Sequence, residues 1–218
     1  MHYDPKEILI RAKEEIEKAA KDDYEKFAHA NIIQCLAACE FLQENNMVVN
    51  FGATRGAIVP RDEDFVIKFD LDFFENFCDT EFKNYQAAKE EELEEFFAEI
   101  KPLGEFRILD AHMKCFVQTK AEEIYENTAE AQFSPISPDD FEDEDEYYEA
   151  LYDREESVCD MNGDCLPYGW ADRVIDEYGY DEYERLVHFL NEHDINDVHA
   201  GNVGFIRERC IIFDYAGF

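Results

Sequence analysis

Two aspartates and an asparagine near one end of the chain form a set of hard-oxygen groups suited to magnesium and to proton transfer. They are Asp197 and Asn202, five residues apart in Asn196-Asp-Val-His-Ala-Gly-Asn-Val-Gly204, and Asp214 in Asp214-Tyr-Ala-Gly217. Between them, Val203-Gly-Phe-Ile206 and Cys210-Ile-Ile-Phe213 read as strands joined by a polar Arg207-Glu-Arg209 turn. Such a hairpin would return Asn202 and Asp214 to the same edge. There they would suit Mg²⁺, which takes oxygen ligands and keeps several waters and substrate phosphate oxygens. Asp197 would project into the same crevice without binding the metal, as a base facing a nucleophile should. His199 reads as a structural histidine of this loop rather than a base or a metal ligand.

These motifs resemble the protein-kinase-like superfamily. Asp-Val-His-Ala-Gly-Asn matches the Asp-to-Asn spacing of its catalytic loop, in the form used by the small-molecule phosphotransferases. Asp214-Tyr-Ala-Gly217 stands where the Asp-Phe-Gly metal motif belongs, with one residue inserted. Upstream, Gly52-Ala-Thr-Arg-Gly56-Ala-Ile-Val59 resembles a shortened glycine-rich loop, and Phe65-Val-Ile-Lys68 the strand that presents the nucleotide-binding lysine. Glu81, early on the next helix, matches the ion-pair glutamate, with Glu75 the weaker choice. The fragments fall in family order over roughly residues 47 to 218.

The resemblance implies ATP and Mg²⁺ as cofactors, lying in a crevice between two lobes. It implies that Lys68 holds the inner phosphates and is oriented by Glu81, and that the loop with Gly52, Thr54, Arg55 and Gly56 covers the phosphates. It further implies that Asn202 and Asp214 hold Mg²⁺ while Asp197 accepts the proton of a protein or small-molecule hydroxyl. Asn196 replaces the arginine that precedes the catalytic aspartate in most protein kinases, and the loop has fewer glycines than is usual. The sequence ends four residues after Asp214, so the second lobe is expected to be reduced and to draw support from the N-terminal helices and residues 121 to 180.

The elements that must position these groups are legible in outline. Asp4-Pro5-Lys6-Glu7 is a capping box with proline at the first helical position, and Ile8, Ala12, Ile16 and Ala19 continue at helical spacing. Ile32, Cys35, Leu36, Cys39 and Leu42 form a second stripe, so residues 1–45 read as a helical extension. Met47–Gly52, Gly56–Pro60 and Asp64–Asp70 read as two or three antiparallel strands, followed by a helix from about Asp79 to Ile100 and strands at Phe106–Leu109 and Lys114–Gln118. Residues 46–120 would be the sheet-bearing first lobe and 121–218 the second. The latter contains an acidic insertion at about 134–165, a helix at Asp181–His193 and the catalytic loop. The expected class is α+β, a kinase-like two-lobed fold with a small antiparallel sheet lobe and a reduced helical lobe.

Composition narrows the partners. Of 218 residues, 54 are acidic and 20 are Lys or Arg, for a net charge of −34. Such a surface repels phosphate backbones, which disfavours direct nucleic-acid binding, and it lacks a polybasic membrane anchor. No apolar run approaches the roughly 20 residues of a spanning helix, and Met1-His2-Tyr3-Asp4 does not begin a signal peptide; a cytoplasmic protein is expected. The seven cysteines contain no CxxC pair and read as buried thiols. Asp160, Asn162 and Asp164 imitate a calcium loop, but Cys165 and Ala171 occupy its glycine and bidentate-glutamate positions. Residues 139–157 carry eleven acids and one arginine, a solvated loop or short exposed helix. That run frames the second reading: an inactive pseudokinase or acidic binding protein that docks or inhibits a basic partner, such as one that itself binds nucleic acid.

Overall fold

The computed structural model describes residues 2–22, 30–52, 55–71, 76–123, 141, 143, 145–150, 168–198 and 201–216. The chain is mixed α+β and divides into two units. One comprises Met1–Tyr85 and Glu99–Lys120, the other Gln86–Ala98 and Ala121–Phe218. Among the described residues no helix is long and apolar enough to cross a membrane.

The first unit opens with α1 (Pro5–Asp22). Asp4 starts it: its carboxylate accepts from the N–H groups of Lys6 and Glu7 at 2.9 and 3.3 Å. Ile8, Leu9, Ala12, Ile16 and Ala20 form its buried stripe. The second stripe is two helices rather than one, α2 (Ile32–Ala37) and α3 (Glu40–Glu44). The break has a tertiary cause. Glu15 of α1 accepts hydrogen bonds from the N–H groups of Glu40 and Phe41, at 2.6 and 3.0 Å, and so supplies the cap of α3 from another helix.

Five strands follow: β1 (Met47–Phe51), β2 (Gly56–Pro60), β3 (Phe65–Leu71), β4 (Ile100–Ile108) and β5 (Ala111–Thr119). They form one antiparallel sheet in the order β1-β2-β3-β5-β4. The last two are longer than their apolar patterns suggest, because Leu109 adopts a φ of 54° and permits a two-residue turn between Ile108 and Ala111. Ile58, Ile67, Phe69, Met113 and Cys115 face a core shared with α1, α2 and α3. Lys68 and Asp70 alternate onto the opposite face, in register with Phe116 and Lys114. That face meets α4 (Phe77–Glu90), where Phe82 packs against Phe116.

The helix expected to run to Ile100 ends at Glu90. Leu93 N–H returns to the Ala88 carbonyl at 2.7 Å and Glu92 N–H to Lys89 at 3.4 Å, with Glu92 at φ 59°. This is a Schellman closure whose left-handed position is a glutamate instead of a glycine, and the apolar residue after it, Leu93, is fully buried. A 3₁₀ turn (Glu94–Phe96) follows, and Ile100 begins β4. Phe96 and Phe97 therefore leave the helical stripe and enter the second unit. Phe96 meets Tyr178 edge-on, and Phe97 meets Phe189 and Tyr215 in the same way.

The second unit adds β6 (Glu122–Glu123), α5 (Tyr168–Tyr178), α6 (Tyr180–Glu192), β7 (Val203–Ile206) and β8 (Arg209–Ile212). The pattern marks no helix at α5 and no strand at β6, whereas α6 lies within a residue of its expected bounds. Trp170, Tyr183, Leu186, Phe189, Ile212 and Tyr215 are fully buried. Strands β6, β7 and β8 form an antiparallel sheet, and Arg207 and Glu208 both take positive φ in the two-residue β7–β8 turn. Most of the acidic insertion, with Cys159 and Cys165, lies outside the described residues; residues 145–150 are helical, with Tyr148 exposed. The five described cysteines, Cys35, Cys39, Cys78, Cys115 and Cys210, are buried free thiols.

Candidate functional site

In the first unit, β3 and α4 bring two of the sequence candidates together. Lys68 Nζ donates to Glu81 Oε1 at 2.8 Å, and Glu81 has no exposed surface. The pairing follows from the sheet. Lys68 alternates onto the face that α4 covers, and Glu81 neighbours Phe82, whose ring lies on Phe116 beside Lys68. A carboxylate this deep must be compensated. It has a second cation: Arg55 Nη1 lies 3.0 Å from Glu81 Oε2. The side chains of Arg55 and Lys68 are only 10% and 11% exposed.

Arg55 belongs to the short turn between β1 and β2, closed by Gly52 N–H donating to the Arg55 carbonyl at 2.9 Å. Reading the turn for its glycines misses the inward role of Arg55. The turn's lone cation was the signal. Gly56 has a packing role. It is buried in β2 opposite Phe69, and a Cβ there would stand 2.3 Å from the Phe69 ring, on the face away from Lys68. Gly52 has no such constraint among the described residues, the nearest of which is 3.9 Å away. Thr54 and Glu75 lie outside the described residues.

The surroundings hold a second buried acid. Asp70, 4% exposed, accepts from the Cys78 N–H through both oxygens at 2.9 and 3.2 Å. Burial lifts its carboxyl above the ordinary value, opposed by the Cys78 hydrogen bonds and the Arg55 charge. The Cys78 thiol is pushed up strongly, first by burial and then by the charges of Glu81 and Asp70. Gln118 shares the face of Lys68. It is 2% exposed, and its side-chain nitrogen has no hydrogen-bond partner among the described residues. Lys114, further along that face, is bonded to Asp79 at 2.7 Å, which raises its pKa.

In the second unit, the loop after α6 and the β7–β8 hairpin gather the other candidates. Asn202 is 9% exposed, and its Nδ2 donates to the Asp197 carbonyl at 2.6 Å and to Asp197 Oδ2 at 3.3 Å. This amide bridge holds the two ends of the loop together. The Asn202 carbonyl accepts from the N–H groups of Phe213 and Asp214 at 2.9 and 3.4 Å, so the hairpin closes with Asn202 and Asp214 at one end. Tyr215, beside Asp214, is anchored by its hydroxyl to the Ala98 carbonyl at 2.6 Å. His199 lies outside the described residues.

Among the described residues, no three His, Cys, Asp or Glu side chains gather as a metal cluster. Magnesium held largely by water and phosphate does not need one. The Asn202 amide donates through its nitrogen to Asp197, and its side-chain oxygen and the Asp214 carboxylate, on residues whose main chains meet at the hairpin end, are the groups of the hard type that could hold such an ion. Chemically, one unit offers a buried lysine–glutamate pair with an attendant arginine, and the other an aspartate–amide pair at the foot of a tight hairpin whose far strand leads to Asp214. No protein-family model matches the chain, and no curated protein matches it.

Proposed function

We propose that this protein is a kinase-like phosphotransferase that moves a phosphoryl group from ATP, with Mg²⁺, to the hydroxyl of a protein or small molecule. The observation that carries the reading is the Lys68–Glu81 ion pair, 2.8 Å long with a fully buried glutamate. A lysine fixed by a buried acid is an oriented cation, which is what positioning of a polyphosphate requires. The order of parts supports the same reading: glycine-bearing hairpin, lysine strand, glutamate helix, two further strands, then the Asp197–Asn202 loop and the hairpin ending at Asp214. The Gln118 amide on the face of Lys68, without a partner among the described residues, adds a donor suited to a ligand acceptor, since buried polar groups are normally paired.

On this reading Lys68 binds the inner phosphates and Glu81 orients it. Asn202 and Asp214 hold Mg²⁺, which neutralises phosphate charge when bound. Asp197, held through its main chain and its carboxylate by the Asn202 amide, takes the proton of the attacking hydroxyl. The fold that goes with these roles is the two-lobed kinase-like arrangement.

Calorimetric titration with ATP, with and without Mg²⁺, tests the proposal, followed by phosphoryl-transfer assays on protein and small-molecule hydroxyls. The parent should bind ATP in a Mg²⁺-dependent way, and Lys68→Ala should weaken that binding. Asp214→Ala should abolish the Mg²⁺ dependence, while Asp197→Ala should bind ATP and transfer nothing. If both aspartate variants bind like the parent, the metal assignment is wrong. If Asp197→Asn keeps the full biological effect, the protein acts as an acidic binder and not as an enzyme.

A further inference from the structure

Glu81 has two counterions where a phosphate-binding lysine calls for one. Lys68 faces one carboxylate oxygen at 2.8 Å and Arg55 the other at 3.0 Å, with both cations close to nine-tenths buried. A carboxylate without exposed surface cannot lose its only partner without the cost of an uncompensated buried charge. Were Lys68 alone at that post, every step of its ammonium towards a phosphate oxygen would be opposed by Glu81.

We propose that Arg55 is a positioning residue that keeps the Glu81 carboxylate compensated and in place while Lys68 engages the phosphates of the nucleotide. The inference rests on the phosphotransferase reading and deepens it. The two cations suit a division of labour. A guanidinium is always charged, planar and weakly hydrated, whereas an ammonium on a flexible stem is a mobile point charge. Arg55 is also fixed at both ends. Its carbonyl accepts from Gly52 N–H in the β1–β2 turn, and its guanidinium lies 5.8 Å from the ring centre of Phe77, at the start of the helix that bears Glu81. Asp70, the other buried acid on this face, is engaged with the Cys78 N–H. The turn and the helix are thus joined through a charge that need not move when Lys68 does.

Titration of the full chain with ATP and Mg²⁺ tests this, using the parent, Arg55→Gln, Arg55→Lys, Glu81→Gln and the double variant Arg55→Gln/Glu81→Gln. Circular dichroism and melting temperature check that each is folded. Arg55→Gln should remain folded, because Lys68 still compensates Glu81, and should bind about tenfold more weakly or worse, the scale of one lost buried charge contact. Arg55→Lys should recover most of that loss. Once Glu81 is neutral that carboxylate no longer needs Arg55, and Asp70, which the Arg55 charge also favours, keeps its Cys78 hydrogen bonds, so the double variant should match Glu81→Gln and bind more tightly than Arg55→Gln. A general folding defect would not be reversed by a second substitution in the core. The comparison of Glu81→Gln with the double variant stands even if Arg55→Gln does not fold. Parent-like binding by Arg55→Gln overturns the inference. So does a further loss of about tenfold on adding Arg55→Gln to Glu81→Gln, which would mean direct contact of Arg55 with phosphate. A parent that binds no ATP overturns the phosphotransferase reading itself, a different result from either.

Discussion

Gly56→Ala separates a packing role for this glycine from a role in covering phosphates. The added Cβ would lie 2.3 Å from Cε2 and Cζ of Phe69 and 3.1 Å from Cδ1 of Ile33. Carbon atoms pack best at about 3.5–4.0 Å, so the ring would have to retreat by more than an ångström. Phe69 is fully buried within the core that α1, α2 and α3 share with the sheet, and it cannot swing into solvent. Overpacking of this kind costs about 1–3 kcal/mol. The stiffer unfolded chain of an alanine variant returns only about 0.4–1 kcal/mol. At about 2–4 °C per kcal/mol for a chain of this size, the melting temperature should fall by a few degrees, up to about 10 °C. Gly52→Ala is the control: its nearest neighbour among the described residues is 3.9 Å away and its φ is not in the left-handed region, so its stability should be unchanged or slightly raised. Thermal melts of the two variants, each also made with Phe69→Leu, give the answer. Gly56→Ala should cost less in the Phe69→Leu background, because the obstructing ring edge is gone. An unchanged melting temperature for Gly56→Ala, together with weakened ATP binding, would refute the packing argument and return the residue to the phosphate loop.

Two more predictions concern titration. Burial holds the Asp70 carboxyl above its ordinary 3.8, so the folded chain binds that proton more tightly than the unfolded chain and loses stability as pH rises from 3.8 through the folded pKa. Asp70→Asn keeps an oxygen for the Cys78 N–H and should be the more stable protein in urea at pH 7, with the gap closing as pH falls towards 3.8; a variant less stable than the parent at pH 7, or one whose advantage grows as pH falls to 4, would contradict this. The thiols of Cys39, Cys115 and Cys210 are pushed up to about 11, 12 and 12 by burial, so alkylation at pH 8 should be slow at these sites in the native protein and rapid in denaturant. Rapid native labelling of any of the three would place that cysteine outside the core.

Patterns of short range were legible from residue order. The alternation Phe65-Val-Ile-Lys-Phe-Asp is a strand with Lys68 and Asp70 on one face and Ile67 and Phe69 on the other, and the structure has that alternation. The β7–β8 hairpin, and with it the return of Asp214 to Asn202, followed from two apolar runs around a polar turn. The Asp4-Pro5 start of α1 was likewise local, because a cap and its helix are made by adjacent residues.

What escaped the sequence was decided by groups distant along the chain. The apolar stripe through Cys39 gives no sign of a break, because the carboxylate that caps α3 belongs to Glu15, 25 residues earlier. The end of α4 carries no glycine, since burial of Leu93 holds Glu92 in a left-handed conformation that glutamate alone would avoid. Phe96 and Phe97 keep helical spacing on paper but follow the chain into another core, where ring contacts with Tyr178, Phe189 and Tyr215 decide their place. The resemblance alone suggested Lys68 and Glu81 as partners, since residue order gives no distance between a strand and the helix that follows it. It could not reveal that Arg55 turns inward to share the same carboxylate. A buried charge recruits its counterions by proximity in space, and only the folded chain sets that proximity.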